Sequence, residues 1–278
     1  MKIIFALSFL LPCLAWSQVQ VFPTHLTLTE EAPSSYLNLR NANNKDQTYK
    51  IELIYYSMAK DGSMAQDPKH ESKLTEFLKF SPKSISLKAG EKQVVRVMLT
   101  SFDELTIGEH HMHVRFVPES EKSETKDAAK KSASSMSLQA KIAVAVPVIV
   151  RKGEGKLEPS LAGLKATTDT KDDLSISVQL KNSTPFYLYG DMELIALTEK
   201  GETTLDKIIG VGSYIPERAF TKSYSKKEWE EKTGGAKINK IKVSLKANSE
   251  SAAPFDLSSE TEVTKGSQGK KKTPSKRP

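Results

Sequence analysis

From residue 19 onward, apolar and polar positions alternate in short runs broken by turn residues. Val19-Gln20-Val21-Phe22 stops at Pro23, residues 25–29 alternate, Tyr36-Leu37-Asn38-Leu39-Arg40-Asn41 alternates again, and residues 48–56 are rich in β-branched and aromatic side chains. Each run is of strand length, and a period of two sends one set of side chains to one face. Phe77-Leu78-Lys79-Phe80 meets Ser81-Pro82, residues 84–87 lead into a Lys88-Ala89-Gly90-Glu91 turn, and residues 93–99 and 110–117 continue the series. The polar stretch 61–73 predicts a long hairpin loop. Strands this short and this regularly punctuated predict a sandwich.

Residues 118–136 break the pattern, with Glu, Lys, Ser and Ala and almost nothing to bury, and predict a mobile surface loop. The next segment has apolar residues at every even position, from Leu138, Ala140, Ile142 and Val144 to Val146, Val148 and Val150. At roughly 3.3 Å per residue this ridge runs about 40 Å, more than one small sandwich needs, so either the strand bends into the linker or part of its ridge faces something else. Gly153, Gly155 and Pro159 then mark a linker. A second series follows, with runs at 174–180, 186–189, 192–197, 210–214 and 238–245. The expected domains are 18–152, carrying the mobile loop, and 153–249, a smaller β-sandwich, followed by a disordered tail at 250–278 that is basic from 265. The fold class is all-β.

The first residues read differently. Lys2 precedes an apolar run at 3–11, and Ala15 and Ser17 stand three and one positions before Gln18, which predicts a secretory signal peptide over 1–17. No other stretch reaches the ~18 apolar residues of a membrane helix, so the processed chain is expected to be soluble. Cleavage removes Cys13, the one cysteine, so stability must come from packing; about 260 residues suffice for two cores. The formal charge of +7 rests on Lys2 and on the six cations of 265–278, leaving 18–264 formally neutral. The folded body therefore presents no net field for nucleic acid, and the basic tail is free to touch anionic envelope surfaces.

Chemistry is hard to find in this sequence. His111 and His113 share a strand face, but no cysteine or acid stands at ligand spacing, so no metal site and no cofactor are expected. No nucleophile elbow, phosphate-binding glycine run or zinc-protease signature occurs, which argues against an enzyme. Phe22, Tyr49, Tyr55, Phe77 and Phe80 read as core aromatics.

The segments Phe22-Pro23-Thr24-His25-Leu26, Leu37-Asn38-Leu39-Arg40-Asn41, Leu87-Lys88-Ala89-Gly90-Glu91, Val148-Ile149-Val150-Arg151 and Leu180-Lys181-Asn182-Ser183-Thr184-Pro185-Phe186-Tyr187, taken in order, resemble the periplasmic pilus-chaperone family of chaperone-usher systems, as a divergent member. The resemblance covers roughly residues 20–245. It implies two immunoglobulin-like β-sandwich domains set in an L. It implies that a pilin-like subunit lacking its own final strand is held along the last strand of the first domain, by donor-strand pairing, with an outer-membrane usher as a further partner. Leu138, Ala140, Ile142 and Val144 are then the subunit-binding side chains. The sequence departs from the family at the cleft. Where an arginine and a lysine anchor the subunit's terminal carboxylate, the matching positions are His25 and Pro147, so that charged clamp is missing. The alternative reading is a non-catalytic periplasmic scaffolding or binding protein that reuses the domain pair, with its basic tail for envelope or partner contacts.

Overall fold

The computed structural model describes residues 19–70, 72–119 and 142–266. The signal peptide expected at 1–17, nearly all of the loop expected at 118–136, Leu138, Ala140 and the basic end of the tail lie outside the described residues.

The first domain contains β1 (Val19–Phe22), β2 (Leu26–Leu28), β3 (Ser34–Asn41), β4 (Gln47–Ile54), β5 (Tyr56–Met58), β6 (Met64–Gln66), α1 (Leu74–Phe77), β7 (Leu78–Ser81), β8 (Ser84–Leu87), β9 (Lys92–Leu99), β10 (Gly108–Pro118) and β11 (Val144–Lys152). They build a four-stranded sheet of order β1-β3-β9-β7 and a five-stranded sheet of order β2-β11-β10-β4-β8, with β5 and β6 as a separate hairpin. Period-two alternation turns Leu37 and Leu39 of β3, and Val95 and Val97 of β9, into one core. Tyr49, Phe116 and Val148 meet them there from the other sheet. Fully burying side chains of this size stabilises by about 1.5–3 kcal/mol each.

Asn41, fully buried, fastens two of the sequence segments together. Its Nδ2 donates to the carbonyls of Lys45 at 2.8 Å, and of Leu87 and Lys88 at 3.2 Å each, while its Oδ1 accepts from the Asn43 N–H at 3.0 Å. The turn before β9 is thereby tied to the end of β3, and Gly90 supplies the positive φ of 76° that this turn requires.

The second domain contains β12 (Pro159–Thr168), β13 (Leu174–Asn182), β14 (Leu188–Thr198), β15 (Gly201–Ser213), β16 (Glu217–Tyr224), α2 (Lys226–Thr233), β17 (Ile238–Ala247) and β18 (Asp256–Lys265). These strands form one seven-stranded sheet of order β15-β14-β17-β18-β12-β13-β16. It curls so that Ile176 and Leu180 of β13 share a core with Leu194 of β14 and Val243 of β17. The expected disordered tail at 250–278 is corrected over residues 256–265. There β18 lies in the middle of the sheet, antiparallel to β17 and parallel to β12. Its alternate residues Leu257 and Val263 are half-buried, and its exposed Glu260 and Glu262 stand opposite Lys242 and Lys240. Cross-strand pairs of opposite charge make a polar sequence a competent strand.

Helix α2 was not expected among strands. Ser225 caps it through a reciprocal capping box with Glu228, and Gly234 ends it in the left-handed conformation at φ 59°.

Candidate functional site

Strand β11 is built from the apolar ridge. It pairs along its whole length with β10, from Phe116↔Val144 to Gly108↔Lys152. On its other side β2 covers it over three pairs only, Leu26↔Val148, Thr27↔Ile149 and Leu28↔Val150. Residues 144–147 therefore have no ladder partner on that side among the described residues. Pro147, which lacks an N–H, sits where β2 stops, as a proline in a sheet must sit on an edge.

The ridge divides at its N-terminal end. Val146, Val148 and Val150 lie in the first domain's own core, and Val144 is partly buried against it. Ile142 precedes the strand and is 56% exposed, an apolar side chain with its face open to solvent. Val144 is thus better described as the junction between core and free edge than as a projecting side chain.

The two cleft positions come together. Leu26 pairs with Val148, so His25 stands one step earlier beside Pro147, and Pro147 is opposite His113 on its other side. His25 Nε2 lies 3.0 Å from Thr27 Oγ1 and 3.5 Å from Glu250 Oε2, and its ring packs on Tyr189 with centroids 5.5 Å apart. Burial pushes its pKa down, Glu250 pulls it up, and Arg151 lowers it again. Burial also moves His113, to about 4, helped by neighbouring His111. The row contains no fixed positive charge, and the Nδ1 atoms of His25 and His113 are buried without a partner.

Around this row the two domains are bonded to each other. Arg151 of β11 donates from Nε to Glu109 Oε1 at 2.7 Å, and from its terminal nitrogen to the Glu250 carbonyl at 3.0 Å. Glu109, buried on β10, accepts through Oε2 from the Tyr187 N–H at 2.6 Å, while its own N–H donates to the Pro185 carbonyl at 2.9 Å. His111 Nε2 donates to the Tyr56 carbonyl at 3.0 Å, which leaves Nδ1 to accept from the Tyr187 hydroxyl at 2.9 Å. Its ring stacks on Tyr214 at 4.3 Å and on Tyr55 at 4.7 Å. Burial lowers the His111 pKa and raises that of Tyr214 to about 12. His111 is therefore a hydrogen-bonded residue of the interface between the domains, and His113 is buried beside it. Among the described residues no group of three or more His, Cys, Asp or Glu side chains could hold a metal ion.

Sequence reasoning missed the roles of Tyr56 on β5, of Tyr189 on β14, and of Tyr187 and Tyr214, which lie just outside β14 and β15. The signal that could have found them is the concentration of aromatic residues near His110-His111-Met112-His113 and after Pro185.

No family model matches the chain, and no curated protein matches it. Among solved structures it is similar to the YadV chaperone, at 15% identity and a TM-score of 0.46, covering 88% of this chain and 100% of that one. It is similar to the CsuC–CsuE chaperone–tip adhesion subunit pre-assembly complex from archaic chaperone-usher Csu pili of Acinetobacter baumannii, at 14% identity and a TM-score of 0.46, covering 90% and 100%. A third likeness is to the Pseudomonas aeruginosa CupB2 chaperone, at 11% identity and a TM-score of 0.44, covering 86% and 98%.

Proposed function

We propose that this protein is a non-catalytic periplasmic chaperone that holds an incomplete β-sandwich subunit by lending it the free edge of β11. The observation that carries the reading is the half-covered strand. Residues 144–147 have one side open among the described residues, and Ile142 continues that edge with an exposed apolar side chain. An open edge of this kind offers backbone N–H and C=O groups to an added strand, and alternate apolar side chains fill the groove that the client exposes. Leu138, Ala140 and Ile142 are the inserted side chains of this reading, with Val144 at the junction. An L-shaped arrangement of the domains, removal of a signal peptide and an outer-membrane usher partner belong to the same reading.

The experiment is co-purification from the periplasm of the wild type and of Ile142→Asp. The wild type is expected to carry a subunit, and the variant to lose it while keeping its melting temperature, since the side chain is exposed. A charge held in a desolvated groove costs several kcal/mol. Equal subunit recovery with both proteins would sink the donor-strand assignment.

A second reading, a scaffold that reuses the domain pair, is favoured by one observation: His25, Pro147 and His113 supply no cation for a terminal carboxylate. Under it, neither the wild type nor Ile142→Asp carries a subunit.

A further inference from the structure

The outer face of the β1-β3-β9-β7 sheet has a composition of its own. Alternation buries Leu37 and Leu39, Val95 and Val97, and Leu78 and Phe80, so the intervening residues face solvent. Three of these are large and apolar: Phe22, expected in the core, is instead 71% exposed, and Tyr36 and Val94 are 52% and 47% exposed. Phe22, Asn38 and Val94 stand in one cross-strand row, and Tyr36 is the next outward-facing residue along β3. The three therefore surround Asn38 at direct and diagonal spacings of about 5–8 Å. Single exposed apolar residues are ordinary; three gathered on one flat face mark a contact surface.

The charges of this face are one-sided. Arg40 and Lys92 pair across strands at one end, and Arg96 and Lys79 stand toward the other. None of the four strands contains Asp or Glu on either face. Arg40 reaches only the Gln20 side-chain oxygen and Arg96 only the Ser34 hydroxyl, both at 3.4 Å. Among the described residues these four cations form no ion pair, although Lys207, Lys222 and Lys226 in the second domain each find an acid within 3.1 Å. Residues 18–264 are formally neutral, so four unanswered cations on one face are a segregation of charge and not a share of a general excess.

We propose that this face docks an acidic protein that presents an apolar side chain ringed by Asp or Glu. Tyr, Phe and Arg are the residues enriched at the centres of protein–protein contacts, and the cations demand acids opposite them. A second copy of this chain is the wrong occupant, because a two-fold contact through this face would set cations against cations. A stacking platform for nucleic acid is disfavoured because Asn38 and Val94 stand where further rings would be needed. The face belongs to the sheet opposite the one that contains β11, so its partner and a client on β11 can be held together.

The test uses the purified protein and a synthetic peptide in which Glu and Asp alternate with Leu, alongside its Gln and Asn counterpart. Amide chemical-shift changes are expected on β1, β3 and β9, with binding at least tenfold weaker for the uncharged peptide. A similar loss is expected in an Arg40→Glu, Arg96→Glu double variant, and several-fold weakening in Tyr36→Ser with Val94→Ser, all at an unchanged melting temperature. Ile142→Asp is expected to bind the peptide undiminished, which separates this proposal from the chaperone reading. Three results would overturn it: shifts absent or elsewhere; heparin binding the face as well as the peptide and indifferent to Tyr36→Ser; or self-association that Tyr36→Ser disperses.

Discussion

His113 is neutral at pH 7 in a place where protonation is penalised: 7% exposed, edge-on to Tyr56 with ring centroids 4.9 Å apart, and with its Nδ1 unpartnered. Its folded pKa is depressed from 6.5 to about 4. The unfolded chain therefore binds a proton that the folded chain refuses across that window. Stability that is complete above pH 6.5 is lost progressively as the pH falls toward 4. At 1.36 kcal/mol per pH unit this one side chain accounts for a loss of about 3 kcal/mol, and His25 and His111, also lowered by burial, add in the same direction. Urea unfolding at pH 7, 5.5 and 4 is expected to trace this decline, with a visibly shallower slope in His113→Phe; parallel slopes would count against the assignment. None of this was legible in the sequence. Tyr56 lies far from His113 along the chain and reaches it within the first domain, whereas Tyr187 and Tyr214 meet the neighbouring His111 only because the two domains meet.

Among the elements, β3 and β9 of the first domain were readable because each buries one face, so that a single period-two rule located them to within a residue or two. The second domain was harder for stated reasons. Strand β12 begins at Pro159 and was hidden under glycine and proline that read as linker, and it carries a bulge between Ala162 and Lys165. Strand β18, Asp-Leu-Ser-Ser-Glu-Thr-Glu-Val-Thr-Lys, has the composition of a tail, and its partners β12 and β17 rather than its own hydrophobicity make it a strand. Helix α2 was overlooked although Ser225, Glu228 and Gly234 spell both of its ends. The candidate site divides likewise: the β11 ridge was legible as a pattern, but where β2 stops covering it was not. Truncation before Asp256 is expected to abolish cooperative unfolding of the second domain, whereas truncation after Gly266 is expected to shift its midpoint by less than about 1 °C. Calorimetry of the two shortened chains decides between a structural strand and a dispensable end.

At the scale of the molecule, Glu109 joins the two domains by accepting from Arg151 and from the Tyr187 N–H with a side chain only 3% exposed. Removing one partner of a buried ion pair leaves the other charge unanswered, at a cost of about 3–5 kcal/mol. Glu109→Gln is expected to lower the melting temperature and to split unfolding into two steps, one per domain. Adding Arg151→Met should restore much of the loss, and a double variant as unstable as the sum of the singles would rule out the coupling. The central place of β18 matters for the order of events during synthesis. The first domain has all its described strands once residue 152 has emerged, so it can fold while the rest of the chain is still being delivered. The second must wait with two half-sheets apart until residue 265 arrives to bridge them, and through that interval the edges of β12 and β17 that β18 will fill remain open to any passing strand.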